Sequence, residues 1–148
     1  LKKKLKTLVA EYIFIANDEL VRAPNDEFIA EGLPSLPCSG ISRDARAQLY
    51  SLVTGTFLED ALQMELLIIA SDGKSPFVYE LDELVVDSFT QKEEDDLDAL
   101  VAQWRFTQDI EKLNVENNDI SDFAFTLAHL CRTARNETDL GVFLLSDA

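Results

Sequence analysis

Apolar residues recur at three- and four-residue spacing along much of this chain, the pattern of a helix with one buried stripe. Leu5, Leu8, Val9, Tyr12, Ile13, Ala16 and Leu20 form the first such set, which Pro24 ends. Asn25-Asp26-Glu27 then caps a short turn that Gly32 closes. Leu33 to Gly40, stiffened by Pro34 and Pro37, is the one clear loop. Ser42 is placed to cap a second helix running toward Ser71. Its early stripe is Ala45, Leu49, Leu52, Val53 and Phe57. Beyond Gly55 it becomes apolar on several sides, through Leu58, Ala61, Leu62, Met64, Leu66, Leu67 and Ile68 to Ile69. A helix apolar nearly all round belongs at the centre of a domain.

Asp72-Gly73 stops that helix, and Ser75-Pro76 restarts the chain with a cap and a proline at the first helical position. Phe77, Val78, Leu81, Leu84, Val85 and Phe89 would form the next buried face, and Thr90 to Glu93 matches a capping box that opens a further helix. Leu97, Leu100, Val101 and Trp104 lie on one side of it, whereas Phe106, Ile110 and Leu113 lie nearly opposite at about 100° per residue. The helix therefore either kinks between Arg105 and Gln108 or is sandwiched between two layers. Asn117-Asn118-Asp119 opens the last helix, with Ile120, Phe123, Ala124, Leu127, Cys131 and Ala134 facing inward. Gly141 to Leu145 is too apolar to hang free and is expected to dock on the domain or on a continuation of the chain. No alternating pattern lasts long enough to announce a sheet. The predicted fold is all-α: one domain over residues 1–148, a bundle of about five main helices around the apolar helix from Phe57 to Ile69.

Charge changes the picture. The chain of 148 residues is 47% hydrophobic, enough for one core, yet it carries 28 acidic against 13 basic residues, a net charge of −15. Residues 1–46 hold seven of each sign, so the whole imbalance falls in residues 47–148, an acidic region beside a neutral N-terminal lobe. Such a field argues against direct contact with nucleic acid or with an anionic membrane. It favours a basic protein partner, a bound cation, or simple solubility. No apolar run reaches the roughly 18–20 residues of a membrane span. Lys2, Lys3, Lys4 and Lys6 imitate the start of a signal peptide, but Glu11, Asp18 and Glu19 interrupt the apolar stretch after them and no cleavage site appears. Cys38 and Cys131 lack near partners and read as reduced thiols, so a cytoplasmic location is expected. A start at Leu1 rather than Met is what a fragment or a processed chain would show.

The densest charge lies between Glu80 and Asp98, where nine acids accompany one lysine. Part of it is structural, because carboxylates in the first turn of a helix complement its dipole by about 0.3–1 kcal/mol each. The rest faces either solvent or a basic partner. The candidate partner-binding residues are Glu83, Asp87, Glu94, Asp95, Asp96 and Asp98, with Trp104 or Phe106 as an apolar anchor. Carboxylates spaced like phosphates suit an inhibitor or immunity-type protein directed at a nucleic-acid-acting protein. The opposed Trp104 and Phe106 also fit a homo-oligomer, or equally a three-layer core.

A divalent-cation site built from carboxylates is the alternative from another class. The calcium-loop pattern is missing, and the one histidine, His129, has Thr126 where a di-iron bundle needs Glu. Ala70-Ser71-Asp72-Gly73 followed by Glu80 and Leu81 resembles one short helix junction of tellurite-resistance TerB-like helical domains. That resemblance implies a cation held by acids such as Asp72, Glu80 and Glu83. A small hydrolase using Cys38 or paired acids is the third reading, with Cys38 in an exposed loop as its only candidate nucleophile. His129 is expected half-exposed on its helix. No nucleophile elbow, phosphate loop or dinucleotide fingerprint occurs. No catalytic residue and no cofactor is therefore assigned, and the chain is not expected to be an enzyme.

Overall fold

Short, unbroken apolar runs bounded by polar residues fit a doubly covered strand as well as a buried helix. Here four of them are strands. The computed structural model describes residues 11–17, 35–38, 40–69, 77–113, 115–137 and 140–146. In chain order the elements are β1 (Glu11–Asn17), β2 (Ser35–Pro37), α1 (Arg43–Thr54), α2 (Leu58–Ala61), β3 (Glu65–Ile69), β4 (Phe77–Leu81), α3 (Glu83–Thr90), α4 (Glu94–Trp104), α5 (Gln108–Leu113), α6 (Asn117–Asn136) and β5 (Leu140–Ser146). The strands form one five-stranded antiparallel sheet in the order β2-β1-β5-β4-β3. The fold is mixed α/β, and the expected all-α bundle is wrong.

The cause is burial on both faces of the sheet. Ile13, Phe14, Ile15 and Ala16 are consecutive and all buried, so β1 shows no polar alternation. Ile13, Ile15, Leu81, Val142 and Leu144 face the main core with the helices. Phe14, Ala16, Val78 and Phe143 form a second cluster on the opposite face. There Phe14 and Phe143 are directly paired across β1 and β5, with ring centroids 5.8 Å apart. The apolar tail expected to dock on the domain does so as β5, hydrogen-bonded between β1 and β4.

The expected central helix from Phe57 to Ile69 does not exist. Gly55 takes a left-handed φ of 76° and ends α1, donating its N–H to the Ser51 carbonyl at 2.9 Å. Only the one-turn α2 follows before the chain extends into β3. The expected helical face from Phe77 to Phe89 is likewise split, into β4 and then α3, which Asp82 caps by accepting the Leu84 N–H at 2.8 Å. Other expectations survive. Ser42 caps α1 through the Ala45 N–H. The chain breaks between Trp104 and Gln108. All six residues expected to face inward on α6 are buried. The cap of α4 is Glu93 rather than Thr90, with the Asp96 carboxylate accepting the Glu93 N–H at 3.2 Å.

The helices assemble against one side of the sheet. α6 lies on β1, β2 and β5 and also touches α3 and α4, while α1 packs against α2, α3, α4 and α5. Trp104 ties α4 to α1, its Nε1–H donating to the Ala45 carbonyl at 2.8 Å and its ring lying 5.8 Å from Phe123 of α6. Because Gly55 sits at positive φ with open space around it, Gly55→Ala meets backbone strain and no clash. It is expected to cost about 1–2 kcal/mol, measured as a lowered midpoint in urea unfolding with an unchanged m-value.

Candidate functional site

α1 carries a charged residue on its buried side. Arg46 and Tyr50 stand one helical turn apart on the face that also buries Val53, and Arg46 is only 1% exposed. Its guanidinium grips Glu65 with two bonds, Nε to Oε2 at 2.7 Å and Nη2 to Oε1 at 2.9 Å. Nη1 reaches Glu11 Oε1 at 2.8 Å and the Ile41 carbonyl at 2.8 Å. Tyr50 Oη donates to Glu65 Oε2 at 2.6 Å, and Ser146 Oγ to Glu11 Oε2 at 3.1 Å. One cation and two carboxylates thus hold α1 against β1, β3 and β5. Sequence reasoning missed the group. The available signal was a lone arginine spaced four residues before Tyr50 on an apolar helix face.

The sheet register shows what this group does. Glu65 is paired with Leu81, and Leu81 lies level with Val142 and Ile15; Glu11 is paired with Ser146 and lies level with Phe77. The two glutamates are therefore three strands and four residues apart, roughly 20 Å on a flat sheet at about 4.8 Å per strand and 3.3 Å per residue. Both nevertheless reach one guanidinium. The sheet must curl diagonally around Arg46, which the normal strand twist permits.

The group is built for structure rather than turnover. Burial works against the charge on Arg46, but the hydrogen bonds and charge of Glu65 outweigh it and hold the guanidinium protonated. Burial likewise pushes the Tyr50 phenol well above its usual range, reinforced by the Glu65 charge. Cys38, expected in an exposed loop, is buried beside this group. Burial raises its thiol to about 12 against the opposing charge of Arg46. A sealed, protonated thiol is no nucleophile. Cys131 is also free and buried, its thiol raised to about 12 chiefly by burial. His129 is exposed on α6.

The acids singled out in the sequence lie at the surface around the junction of α3 and α4. Glu83, Asp87, Glu94, Asp95, Asp96 and Asp98 are all exposed, and of these Asp87 is ion-paired, to Arg135 Nε at 2.6 Å. Arg132 anchors the same corner by donating to the Lys92 carbonyl. The two candidate anchors have opposite fates. Trp104 is fully buried in the core, whereas Phe106 is 72% exposed in the turn after α4 with the Arg105 guanidinium 5.7 Å from its ring centroid. Phe57, Leu66 and Leu67, expected in the central helix, are exposed as well.

Among the described residues no three or more His, Cys, Asp or Glu side chains gather as metal ligands. Asp72 lies outside the described residues, and Glu80 and Glu83 belong to different elements, β4 and α3. A groove of about 200 Å³ runs between β2 and the start of α6, lined by Leu36, Pro37, Ile41, Asp119, Asp122 and Phe123. It falls short of the roughly 300–1,000 Å³ of small-molecule sites. No helix among the described residues is long and apolar enough to cross a membrane.

Removing one member of the buried group strands the others. Arg46→Met is expected to destabilise the fold by about 3–5 kcal/mol, and Tyr50→Phe by about 1–3 kcal/mol, in chemical denaturation. The raised thiols and phenol contribute stability that is intact below their unfolded pKa values. Unfolded thiols ionise near pH 9 and folded ones near pH 12. Unfolding free energy is therefore expected to fall steadily between pH 9 and 12. A thiol reagent at pH 8 should label neither cysteine until denaturant is added.

Comparison with family models, with curated proteins and with solved structures finds no match to this chain.

Proposed function

We propose that this chain is an acidic docking module that binds a basic protein partner. The observation that carries the reading is the exposed group of carboxylates around the α3–α4 junction, from Glu83 and Asp87 to Asp98, offset among the described residues by the Asp87–Arg135 ion pair and by Lys92 and Arg132 at the same corner. Like-signed charge left open to solvent accelerates encounter with an opposite surface and selects among partners. Phe106 supplies an apolar contact near the far end of α4, about 15 Å from the first turn at 1.5 Å per residue. That span fits within one ordinary interface. In its sharpest form the partner is a nucleic-acid-acting protein, with carboxylates standing where phosphates would bind. Two buried free thiols agree with action in the cytoplasm.

Immobilised chain exposed to source lysate at low salt is expected to retain a basic protein and to release it at moderate salt, with its identity read by mass. The triple substitution Asp95→Asn, Asp96→Asn and Asp98→Asn keeps an acceptor at the α4 cap while removing three charges. It is expected to slow association with that protein by about tenfold at low salt. Retention of no basic protein at low salt, or an association rate indifferent to these substitutions, would refute the reading.

A further inference from the structure

The two edges of the sheet are finished differently. β2 is only three residues long and ends in Pro37, and both features discourage another strand from pairing there. β3 runs Glu65-Leu66-Leu67-Ile68-Ile69 with no proline and no lysine. Among the described residues no strand lies beyond it. Its one irregularity, a register shift between Leu67 and Ile69, leaves Glu65 to Leu67 in regular pairing with β4. Alternate N–H and C=O groups of this stretch point outward and offer a template for a further strand.

The same edge concentrates exposed apolar surface. Leu66 is 43% and Leu67 53% exposed, and they point to opposite faces of the sheet. Phe57, 78% exposed, and Leu58 stand just ahead of β3 in α2 and its cap. Leu84 is exposed beside its start, where the Asp82 N–H donates to the Met64 carbonyl at 2.8 Å. Among the described residues, five of the seven exposed large apolar side chains therefore surround one strand. The charge there is acidic. Among the described residues Glu59, Asp60 and Glu83 are exposed, and a nearby cation, Arg43, donates to the Leu62 carbonyl at 2.6 Å.

We propose that the outer edge of β3 is a strand-addition site for an extended basic and apolar segment of the partner. That segment pairs its main chain with Glu65–Leu67, covers Leu66 and Leu67, and sets lysines or arginines against Glu59, Asp60 and Glu83. The proposal rests on the docking reading for the sign of the partner's charge. Charge also decides against a second copy. Self-pairing would bring two chains of net charge −15 together at their acidic edges, where like charges repel.

The test uses three fluorescent octapeptides and the full chain at low salt, with binding read by anisotropy. One alternates lysine and valine, one has the same sequence N-methylated throughout its central residues, and one alternates glutamate and valine. The lysine–valine peptide is expected to bind at least about tenfold more tightly than either other peptide. Leu67→Lys, at an exposed position, is expected to abolish that binding while leaving thermal melting unchanged. Glu59→Gln, Asp60→Asn and Glu83→Gln together should weaken it and reduce its salt dependence. Equal binding of the methylated peptide would overturn strand addition. So would binding that Leu67→Lys spares and the Asp95, Asp96 and Asp98 substitutions remove, although docking on α4 would then stand. No binding of the lysine–valine peptide overturns the site. A concentration-dependent dimer in sedimentation that Leu67→Lys dissolves would assign the edge to a second copy and overturn it as well.

Discussion

A single guanidinium held between two carboxylates sets the shape of this molecule. Removing Arg46 from water is costly, and the cost is offset only because Glu65, Glu11 and the Ile41 carbonyl bind it in good geometry. Geometry that demanding admits one arrangement of the strands. Shifting β3 by one residue would turn Glu65 away from the core and present Leu66 to the guanidinium. The ion pair is thus worth less as a source of stability than as a selector of register. Burial of the apolar core, to which Ile13, Leu49, Phe89 and Trp104 belong, provides the bulk of the drive to fold.

The helices could be read from the sequence where they are amphipathic and long, as in α6, whose inward residues follow the 3.6-residue period along its whole length. Strands were illegible for a physical reason. β1, β3 and β5 are four- to six-residue apolar runs, β4 is a run of three before Glu80, and in β1 two covered faces erase the alternation that marks a strand. Gly55 stands inside the helix expected from Ser42 to Ser71, and its left-handed backbone ends that helix there. At the candidate site, sequence located the acids but could not tell the two aromatics apart. Trp104 and Phe106 are two residues apart, and which one enters the core depends on where α1 and α6 lie. Arg46 was passed over because a charged residue is most often a solvated one.

Acidity has two roles in this chain. Some carboxylates are structural, as where Asp82 caps α3, Asp96 closes the start of α4 and Glu65 anchors the core. Others, such as Asp95, Asp98, Glu59 and Asp60, face solvent. Both kinds coexist in the segment between β4 and α4, so net charge alone overstates the surface open to a partner. The exposed apolar residues are sorted more sharply, since most of them gather beside one strand.

The position of β5 in the sheet bears on how the chain is made. Ile13 pairs with Leu144, so the central ladder joins residues about 130 positions apart, while β3 and β4 can meet across a local connection. Emerging from the ribosome, β1 must wait with its inner edge open until every other described element has been synthesised. Closure of the sheet then depends on a late, long-range encounter, the kind of step that sets folding on the millisecond-to-second scale. During that wait the chain is exposed to mispairing with its neighbours, and the repulsion of its many acidic side chains keeps such neighbours apart.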